Sequence, residues 1–391
     1  MVRNNLNNKF MKKIMAMLSM AALLAVAGCA QKNPQPSEGS VVGFALSFFQ
    51  KANQTVPYDQ NLILSPYSAG VALSMLNEGA EGQTKVELTD ALNGCVFMAE
   101  DLGQNDILKV ASANSLWVGD NFSVRNHYVD VLQRDYDAFC TTQNFRDPAT
   151  VKAINNWCSE NTEGKITEII DRLTSNDVMV LLNALYFKAP WQDSFDASLT
   201  YKDVFHGIAK ENEVSMMSRR AKYNYAEYEG CQMIQLPYAA GDYAMYVVLP
   251  PADMDINSMI PYIGESMYET AMSMLSMKEV VFRMPKFTLE TSILLNETLD
   301  KLGVETAFTG AADFRGIAAT GSLALSQVKQ KCYIDVNEQG TEAAAVTSVQ
   351  VRMTSVNRDP VARMTVDRPF LFFIQNTQTG NVLFLGKIVE L

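Results

Sequence analysis

Histidine is the side chain best suited to acid–base chemistry near neutral pH, and this 391-residue chain holds two, His127 and His206. Neither lies in the spacing of a metal-binding helix or a nucleophile elbow, and the patterns GxSxG, HExxH and GxxxxGKS or GxxxxGKT are absent from the sequence. An enzyme would have to draw both its acid and its base from carboxylates, and no recognisable pair stands out. We therefore expect two structural histidines, no enzymatic activity, no metal and no cofactor.

Cys29 is the residue whose surroundings predict a covalent modification. Lys12 and Lys13 precede an apolar run, residues 14–27, that is too short for a comfortable membrane span. The run ends in the sequence VAGC, which resembles the cleavage box of bacterial lipoproteins and implies that the Cys29 thiol carries a lipid. We interpret residues 1–28 as a signal peptide and residues 29–40 as a flexible tether. The expected location is a bacterial membrane, at the outer membrane or cell surface, although a plain secretory signal also fits.

The remaining charge and cysteine content narrow the choice of partners. Formal net charge is −11, and because residues 1–28 hold four basic residues and no acid, their removal makes it −15. An acidic surface disfavours nucleic acid as a partner, since phosphate binding needs clustered Lys and Arg. No CxxC pair occurs among the other five cysteines, so zinc and thioredoxin-like sites are disfavoured and at least one thiol stays free. These cysteines are Cys95, Cys140, Cys158, Cys231 and Cys332.

Residues 338–360 form the most informative stretch, EQGTEAAAVTSVQVRMTSVNRDP. No charge lies between Glu342 and Arg352, and alanines that favour a helix are followed by β-branched residues that favour a strand. Read at a period of two, one face from Thr341 onward carries only small or apolar uncharged side chains. A strand that inserts between two existing strands needs such a face, because a buried unpaired charge costs several kcal/mol. The pattern alone also fits an exposed connection.

The rest of the chain is organised as one α+β unit. Helical patterns occupy residues 41–53, 68–80 after a capped start at Ser65 and Pro66, 84–93, 126–136, 148–161 and 292–302. Strand-like runs occupy residues 112–118, 178–187, 231–237, 243–249, 279–289 and 323–337. Residues 369–375 and 382–388 flank a turn-rich loop and predict a hairpin. Helices first and strands later indicate an α+β fold, and no linker divides residues 41–391.

The chain resembles the serpin family in many separate blocks between residues 41 and 391. They are NLILSPYS at 61–68, NEGAEGQT at 77–84, NALYFK at 183–188, LPY at 236–238, VLP at 248–250, MPKF at 284–287, ADF at 312–314, DRPF at 367–370 and FLGK at 384–387, with Trp191 and Phe195. The resemblance implies helices packed on a large central sheet, two further sheets, and an exposed reactive-centre loop at about residues 338–362. It also implies a monomer whose partners are proteases.

The hinge of that loop resembles the hinge of inhibitory members. It consists of Glu338, Gly340, Thr341, Glu342, Ala343, Ala344 and Ala345, with Gln339 between the first two. The resemblance implies an irreversible suicide-substrate inhibitor of serine or cysteine endopeptidases. A protease attacks the loop and forms an acyl-enzyme, and the cut loop inserts into the central sheet and distorts the protease. A non-inhibitory carrier or chaperone, a surface binding module and an uncharacterised hydrolase are the alternatives.

The position of the scissile bond depends on how the loop is counted. Sixteen residues after Glu338 the resemblance points to Thr354, with Ser355 after the cut, which predicts an elastase-like or broad specificity. Counting back from Pro369 points near Arg358 instead. Arg352 and Arg358 would suit trypsin-like enzymes, whose pockets pair a carboxylate with Arg, and Met353 is a further alternative.

Four residues match the family's sheet-opening region: Ser65, Asn183, Trp191 and Gln330. Many members carry a histidine where this chain has Gln330. The hydrogen bond that the resemblance implies with Asn183 would therefore involve an amide.

Overall fold

The computed structural model describes residues 39–99, 102, 107–239, 241–319, 323–341 and 360–391. Its eight α-helices within these residues are α1 (Val41–Asn53), α2 (Pro66–Gly79), α3 (Gly82–Ala91), α4 (Asn126–Tyr136), α5 (Pro148–Glu160), α6 (Ile256–Met259), α7 (Glu265–Met274) and α8 (Asn296–Lys301). None of these described helices is long and apolar enough to cross a membrane.

The described strands number fifteen. They are β1 (Leu62–Leu64), β2 (Lys109–Gly119), β3 (Phe139–Gln143), β4 (Met179–Pro190), β5 (Tyr201–His206), β6 (Glu211–Tyr228), β7 (Cys231–Pro237), β8 (Tyr243–Leu249), β9 (Ser276–Pro285), β10 (Phe287–Leu294), β11 (Gln327–Asn337), β12 (Gly340–Thr341), β13 (Ala362–Thr365), β14 (Phe370–Asn376) and β15 (Val382–Ile388).

Short polar side chains cap the amino ends of α1, α2 and α5. Ser40, Ser65 and Asp147 each have an extended backbone and accept a hydrogen bond from an amide in the first turn of α1, α2 and α5. Pro66 and Pro148 occupy the first helical position, where the missing N–H costs nothing. The helix starts predicted from the sequence at these points are therefore set by local chemistry.

Two sheets organise the strands. The central sheet has the order β10-β11-β12-β4-β2-β3. The second has the order β1-β15-β14-β8-β7-β6-β9-β13, with β5 paired to β6. The two further sheets that the resemblance implies run into one another through β6, whose 18 residues pair with β5, β9 and β7 in turn. The observed fold is of the α+β class.

Strand β4 lies at the centre of the molecule, and both of its faces are buried. Leu181 and Leu185 belong to the main hydrophobic core, whereas Val180, Leu182 and Ala184 face a second cluster. Residues from β2 and α5 complete that second cluster. Because both faces of β4 are buried, its side chains are apolar on both faces, with Asn183 and Lys188 as the exceptions.

The sequence prediction differs from the structure at one predicted helix and at several elements that were not predicted. The helix predicted at 292–302 begins only at Asn296, because residues 287–294 form β10 and pair with β11 along their whole length. The elements that were not predicted are β1, β3, β5, β6, β13, α6 and α7. In β6 no more than two consecutive residues are buried, and the buried residues do not follow a regular alternation.

Candidate functional site

The candidate site is the seam between β4 and β11. These strands pair directly in parallel over seven residue pairs, from Val180 with Gln327 to Tyr186 with Tyr333. Beyond this point they diverge, and β12 occupies the gap. Gly340 pairs with Pro190 of β4, and β12 also pairs with β11. The central sheet is therefore closed where β4 pairs with β11, which is the lower part of the seam, and split beyond Tyr186 and Tyr333, which is its upper end. The first residues of the predicted hinge lie in the split.

Glu338 lies just before the split and is only 4% exposed. Its side chain and backbone both bind other parts of the protein. Its carboxylate accepts a hydrogen bond from Thr200 Oγ1 at 2.8 Å and pairs with Lys286 Nζ at 3.0 Å. Its carbonyl oxygen accepts a hydrogen bond from the Phe195 amide at 2.8 Å. Burial raises the pKa of Glu338, but the bonds from Thr200 and Lys286 outweigh burial and hold the pKa below its usual value of 4.5.

Trp191 forms the wall of the split. Its ring stacks on Tyr238 with centroids 4.6 Å apart, and its Nε1 donates to the Asn337 carbonyl at 3.0 Å. The Trp191 amide donates to the Gln339 carbonyl at 2.8 Å. The Tyr238 hydroxyl lies 2.7 Å from Thr341 Oγ1, so the buried hydroxyl of Thr341 has a partner. This wall holds both the backbone and the side chain of the hinge.

Gly340 has a conformation that other residues rarely adopt, with φ at +154°. A Cβ added there would overlap the Ala189 carbonyl oxygen and lie 2.6 Å from Pro190 Cα and 2.9 Å from the Trp191 amide nitrogen. The backbone of β12 can approach β4 this closely only because residue 340 has no side chain.

A buried polar network crosses the seam below the split. Gln330 Nε2 donates to Asn183 Oδ1 at 2.6 Å and to the Ser65 carbonyl at 2.9 Å, while Gln330 Oε1 accepts from the Ser65 amide at 2.9 Å. Asn183 Nδ2 in turn donates to Asn114 Oδ1 at 2.6 Å, to the Ser68 carbonyl at 2.9 Å and to Ser68 Oγ. The network joins β11, β4 and β2 to the first turn of α2. Opening the seam must break the bond between Gln330 and Asn183.

The outer face of β11 is covered by the segment that follows α5. Lys329 Nζ pairs with Asp171 at 3.0 Å, and Lys331 Nζ donates to the Glu168 carbonyl at 2.5 Å. Lys165 lies over the Tyr333 ring, 5.7 Å from its centroid. Residues 165–171 therefore cover the seam, where they contact Lys329, Lys331 and Tyr333, which alternate along β11.

Several predicted residues lie outside the described part of the chain. They are Cys29, the hinge residues Glu342, Ala343, Ala344 and Ala345, and the loop residues Arg352, Met353, Thr354, Ser355 and Arg358.

The structure brings the four residues of the sheet-opening region to one seam, at two levels. Ser65, Asn183 and Gln330 share the lower network, and Trp191 contacts the hinge above it. No role was predicted from the sequence for Thr200, Tyr238 or Lys286, the partners of Thr341 and Glu338. The only signal for them was that Tyr238 and Lys286 lie in the quoted blocks LPY and MPKF.

The histidines and cysteines show no arrangement for catalysis. His127 and His206 are both exposed, and His206 Nδ1 lies 2.8 Å from Glu211. Within the described ranges, no group of three or more His, Cys, Asp or Glu side chains is placed to hold a metal ion. Cys95, Cys140, Cys158, Cys231 and Cys332 are all free thiols, and three of them are buried.

This chain, with its split central sheet and a hinge in the split, matches a known protein family. The model of the family described as serpin (serine protease inhibitor) matches residues 40–391. A serpin-like protein of Methanosarcina acetivorans is 32% identical over 364 residues, which cover 88% of this chain and 85% of that protein. Intracellular coagulation inhibitor 2 of Tachypleus tridentatus is 32% identical over 355 residues, covering 85% and 86% of the two chains.

Solved structures agree with the sequence relatives. The thermophilic serpin tengpin in its native state superposes with a TM-score of 0.82 at 28% identity, over 93% of this chain and 96% of tengpin. Human thyroxine-binding globulin superposes with a TM-score of 0.80 at 26% identity, over 90% and 97% of the two chains. This chain belongs to the serpin family. Serpins are typically protease inhibitors, and the chain is not an enzyme.

Proposed function

We propose that this serpin is a single-use trap for serine or cysteine endopeptidases, which works by inserting its cleaved loop between β4 and β11. One observation carries the proposal. The hinge already enters the upper end of the seam, where Gly340 and Thr341 pair with both flanking strands. Cleavage of the loop would free the following residues to continue this strand downward.

The energetics favour insertion once the seam opens. β4 and β11 are parallel neighbours, and the short β12 is antiparallel to both of them. Continued insertion would replace one parallel pairing by two antiparallel ones, which are slightly more stable per residue. The loop from Thr341 onward supplies the uncharged face that a buried strand needs. The closed seam is therefore a kinetic barrier to insertion, and the inserted state is the more stable one at equilibrium.

The choice of target depends on the loop sequence. We infer that cleavage after Thr354, before Ser355, provides the principal bait for elastase-like proteases. Cleavage after Arg352, Met353 or Arg358 would extend the range toward other proteases, trypsin-like enzymes among them. Mass spectrometry of loop fragments after brief digestion tests this inference. Cuts confined to bonds outside residues 351–358 would contradict it.

The proposed location is a bacterial membrane, with the chain held by a lipid on Cys29 and acting in the envelope or at the cell surface. The VAGC sequence after a charged and then apolar start supports this proposal. Metabolic labelling with a fatty acid tests the attachment, and protease treatment of intact cells tests the exposed face. An unlabelled mature chain would rule out the lipid anchor.

A gel assay tests the inhibitory mechanism. The purified protein is mixed with elastase, trypsin, subtilisin or papain, and a trap gives a detergent-resistant covalent complex. Thr341→Arg should convert the inhibitor into a substrate, because an uncompensated charge is unfavourable at the fully buried position of Thr341 and would hold the hinge out of the split. Thr379→Arg, the same change in the exposed turn between β14 and β15, is the matched control and should still form the complex. A non-inhibitory serpin would give cleaved protein and no complex.

A further inference from the structure

A group of cationic side chains shares one exposed face of the second sheet, where β6, β9 and β13 lie side by side. Arg220 of β6 pairs with Val281 of β9, and Val281 pairs with Arg363 of β13, so these residues form one row across the three strands. Side chains two positions apart on a strand point to the same face, which adds Lys222 and Arg283. We call these four cations, Arg220, Lys222, Arg283 and Arg363, the basic face.

Most of this positive charge has no acidic partner. In the part of the chain that the structure describes, Glu279 is the one acid on these rows; it lies opposite Lys222 and pairs with Arg220 Nε at 2.9 Å. No described acid forms an ion pair with Lys222, Arg283 or Arg363. Four cations therefore face one acid, in a chain whose formal net charge is −11. Like charges held close together repel one another, so an approaching anion would be attracted to this face.

Arg283 is held in place, although its guanidinium makes no hydrogen bond to any residue that the structure describes. The guanidinium carbon lies over the Tyr201 ring, 5.8 Å from its centroid, and Nε is buried without a hydrogen-bond partner. A buried N–H without an acceptor is unfavourable. A cation that is positioned but not hydrogen-bonded is ready to bind a carboxylate, whose two oxygens match the planar guanidinium in a bidentate pair.

The basic face lies at the carboxyl end of the reactive loop. β13 begins at Ala362, where the predicted loop ends. Arg352 and Arg358, which bound the candidate scissile bonds, precede Arg363 by 11 and 5 residues. Even a fully extended chain of this length spans at most about 40 Å. A protease domain of about 230 residues has a radius of gyration of about 17 Å and is therefore about 45 Å across. A protease that attacks any of these bonds is large enough to contact the basic face.

We propose that the basic face is a docking surface for the target protease, and that it selects proteases with an acidic surface beside the active-site cleft. The inference rests on the proposed inhibitory function and narrows its target. At physiological salt the Debye length is about 8 Å, so an approaching protease responds to the charges of the nearest surface and not to the net charge of the whole chain. Complementary charges at the rim of an interface raise the association rate. The loop determines which bond is cut, and the basic face determines which proteases associate fastest.

Association rates with two trypsins of opposite net charge, measured by surface plasmon resonance, test this proposal. Anionic and cationic trypsin cut after the same residue types, and replacing their active-site serine by alanine allows docking without cleavage. The chain from residue 30 retains the matched residues 40–391. It should associate faster with inactive anionic trypsin than with inactive cationic trypsin at about 0.15 M NaCl, and about 0.5 M NaCl should remove most of the difference.

Two substitutions in the basic face should remove the preference. Lys222→Gln combined with Arg363→Gln should slow association with inactive anionic trypsin about fivefold, because both side chains are exposed and unpaired within the described residues. Arg146→Gln combined with Lys152→Gln is the matched control. It removes one arginine and one lysine from exposed positions just before and within α5, which packs on the central sheet, and should leave the rate unchanged.

Equal association of wild type and the Lys222 and Arg363 double variant with inactive anionic trypsin would overturn the proposal, as would a wild-type preference for cationic trypsin. The salt series needs no variant, so it decides the matter even if a substitution disturbs folding. Binding of dextran sulfate without faster association of anionic trypsin would identify a polyanion site and would also overturn protease docking.

The gel assay with active proteases separates this inference from the proposed inhibitory function. Charge-dependent association without a covalent complex would contradict the trap and leave the docking surface standing. A covalent complex without charge-dependent association would contradict the docking surface alone.

Discussion

Replacing Gln330 by leucine should loosen the seam between β4 and β11. Gln330 is 1% exposed and makes three hydrogen bonds, two with Ser65 and one with Asn183. Leucine has a similar volume and cannot make any of them. The Ser65 carbonyl keeps a partner, because it also accepts a hydrogen bond from the Ala69 amide. Asn183 Oδ1 is left buried without a partner, and the Ser65 amide keeps only the weakly accepting sulfur of Cys332.

The magnitude follows from these two groups. An unsatisfied buried polar group costs about 1–3 kcal/mol, so Gln330→Leu should destabilise the native state by roughly 3–4 kcal/mol. That loss corresponds to a fall of about 1 M in the midpoint of urea unfolding followed by circular dichroism. The inhibitory activity of uncleaved protein should also decay faster on incubation, since the loop can enter a seam that opens more easily.

Gln327→Leu is the matched control for this prediction. Gln327 lies on the same strand, but its side chain donates a hydrogen bond to Asp177 Oδ1 at 3.2 Å that is only partly buried. Water can replace that partner, so the control should lower stability by about 0.5 kcal/mol or less. Equal urea midpoints for the two variants would refute the role assigned to the buried network.

Three further predictions concern the hinge and the thiols. Gly340→Ala should lower the urea midpoint, because its Cβ would overlap the backbone of β4, whereas Gly264→Ala, with open space around it, should not. The lowered pKa of Glu338 means that its ionised form stabilises the fold above pH 4.5 and that this contribution is lost as pH falls through the lowered value. Acid unfolding curves of Glu338→Gln should lack that contribution, and a curve identical to wild type would contradict the ion pair. Burial raises the pKa of Cys140 and Cys158 to about 12, so a thiol reagent at pH 8 should modify them only after unfolding. Rapid modification of the folded protein would contradict this protection.

Several elements were predictable because their signals are local. Ser65 followed by Pro66 predicted the start of α2, and the structure has the cap and the helix there. The hairpin predicted at 369–388 is present as β14 and β15, which are joined by a turn-rich loop. The helix predicted at 292–302 was wrong in its first part, because pairing with β11 outweighs the helical spacing of residues 292–294.

The site itself was predictable only in part. Its residue types were recognised through the resemblance to serpins, and the small uncharged face that begins at Thr341 was visible in the sequence. The partners of Glu338 were not predicted, because Thr200 and Lys286 lie on separate elements that only the folded chain brings together. No local pattern links a carboxylate to a hydroxyl 138 residues away.

The sequence by itself determined what the hinge is made of, namely a glycine, a threonine and, after Glu342, a run without charge as far as Arg352. It also determined the caps and turns that depend on near neighbours. The tertiary structure decided where that hinge lies. Gln330 and Asn183 are 147 residues apart and meet only because β11 and β4 are parallel neighbours. The closeness of β12 to Trp191 and Tyr238 is decided in the same way. Such contacts depend on the pairing of distant strands, and chain periodicity carries no information about which strands pair.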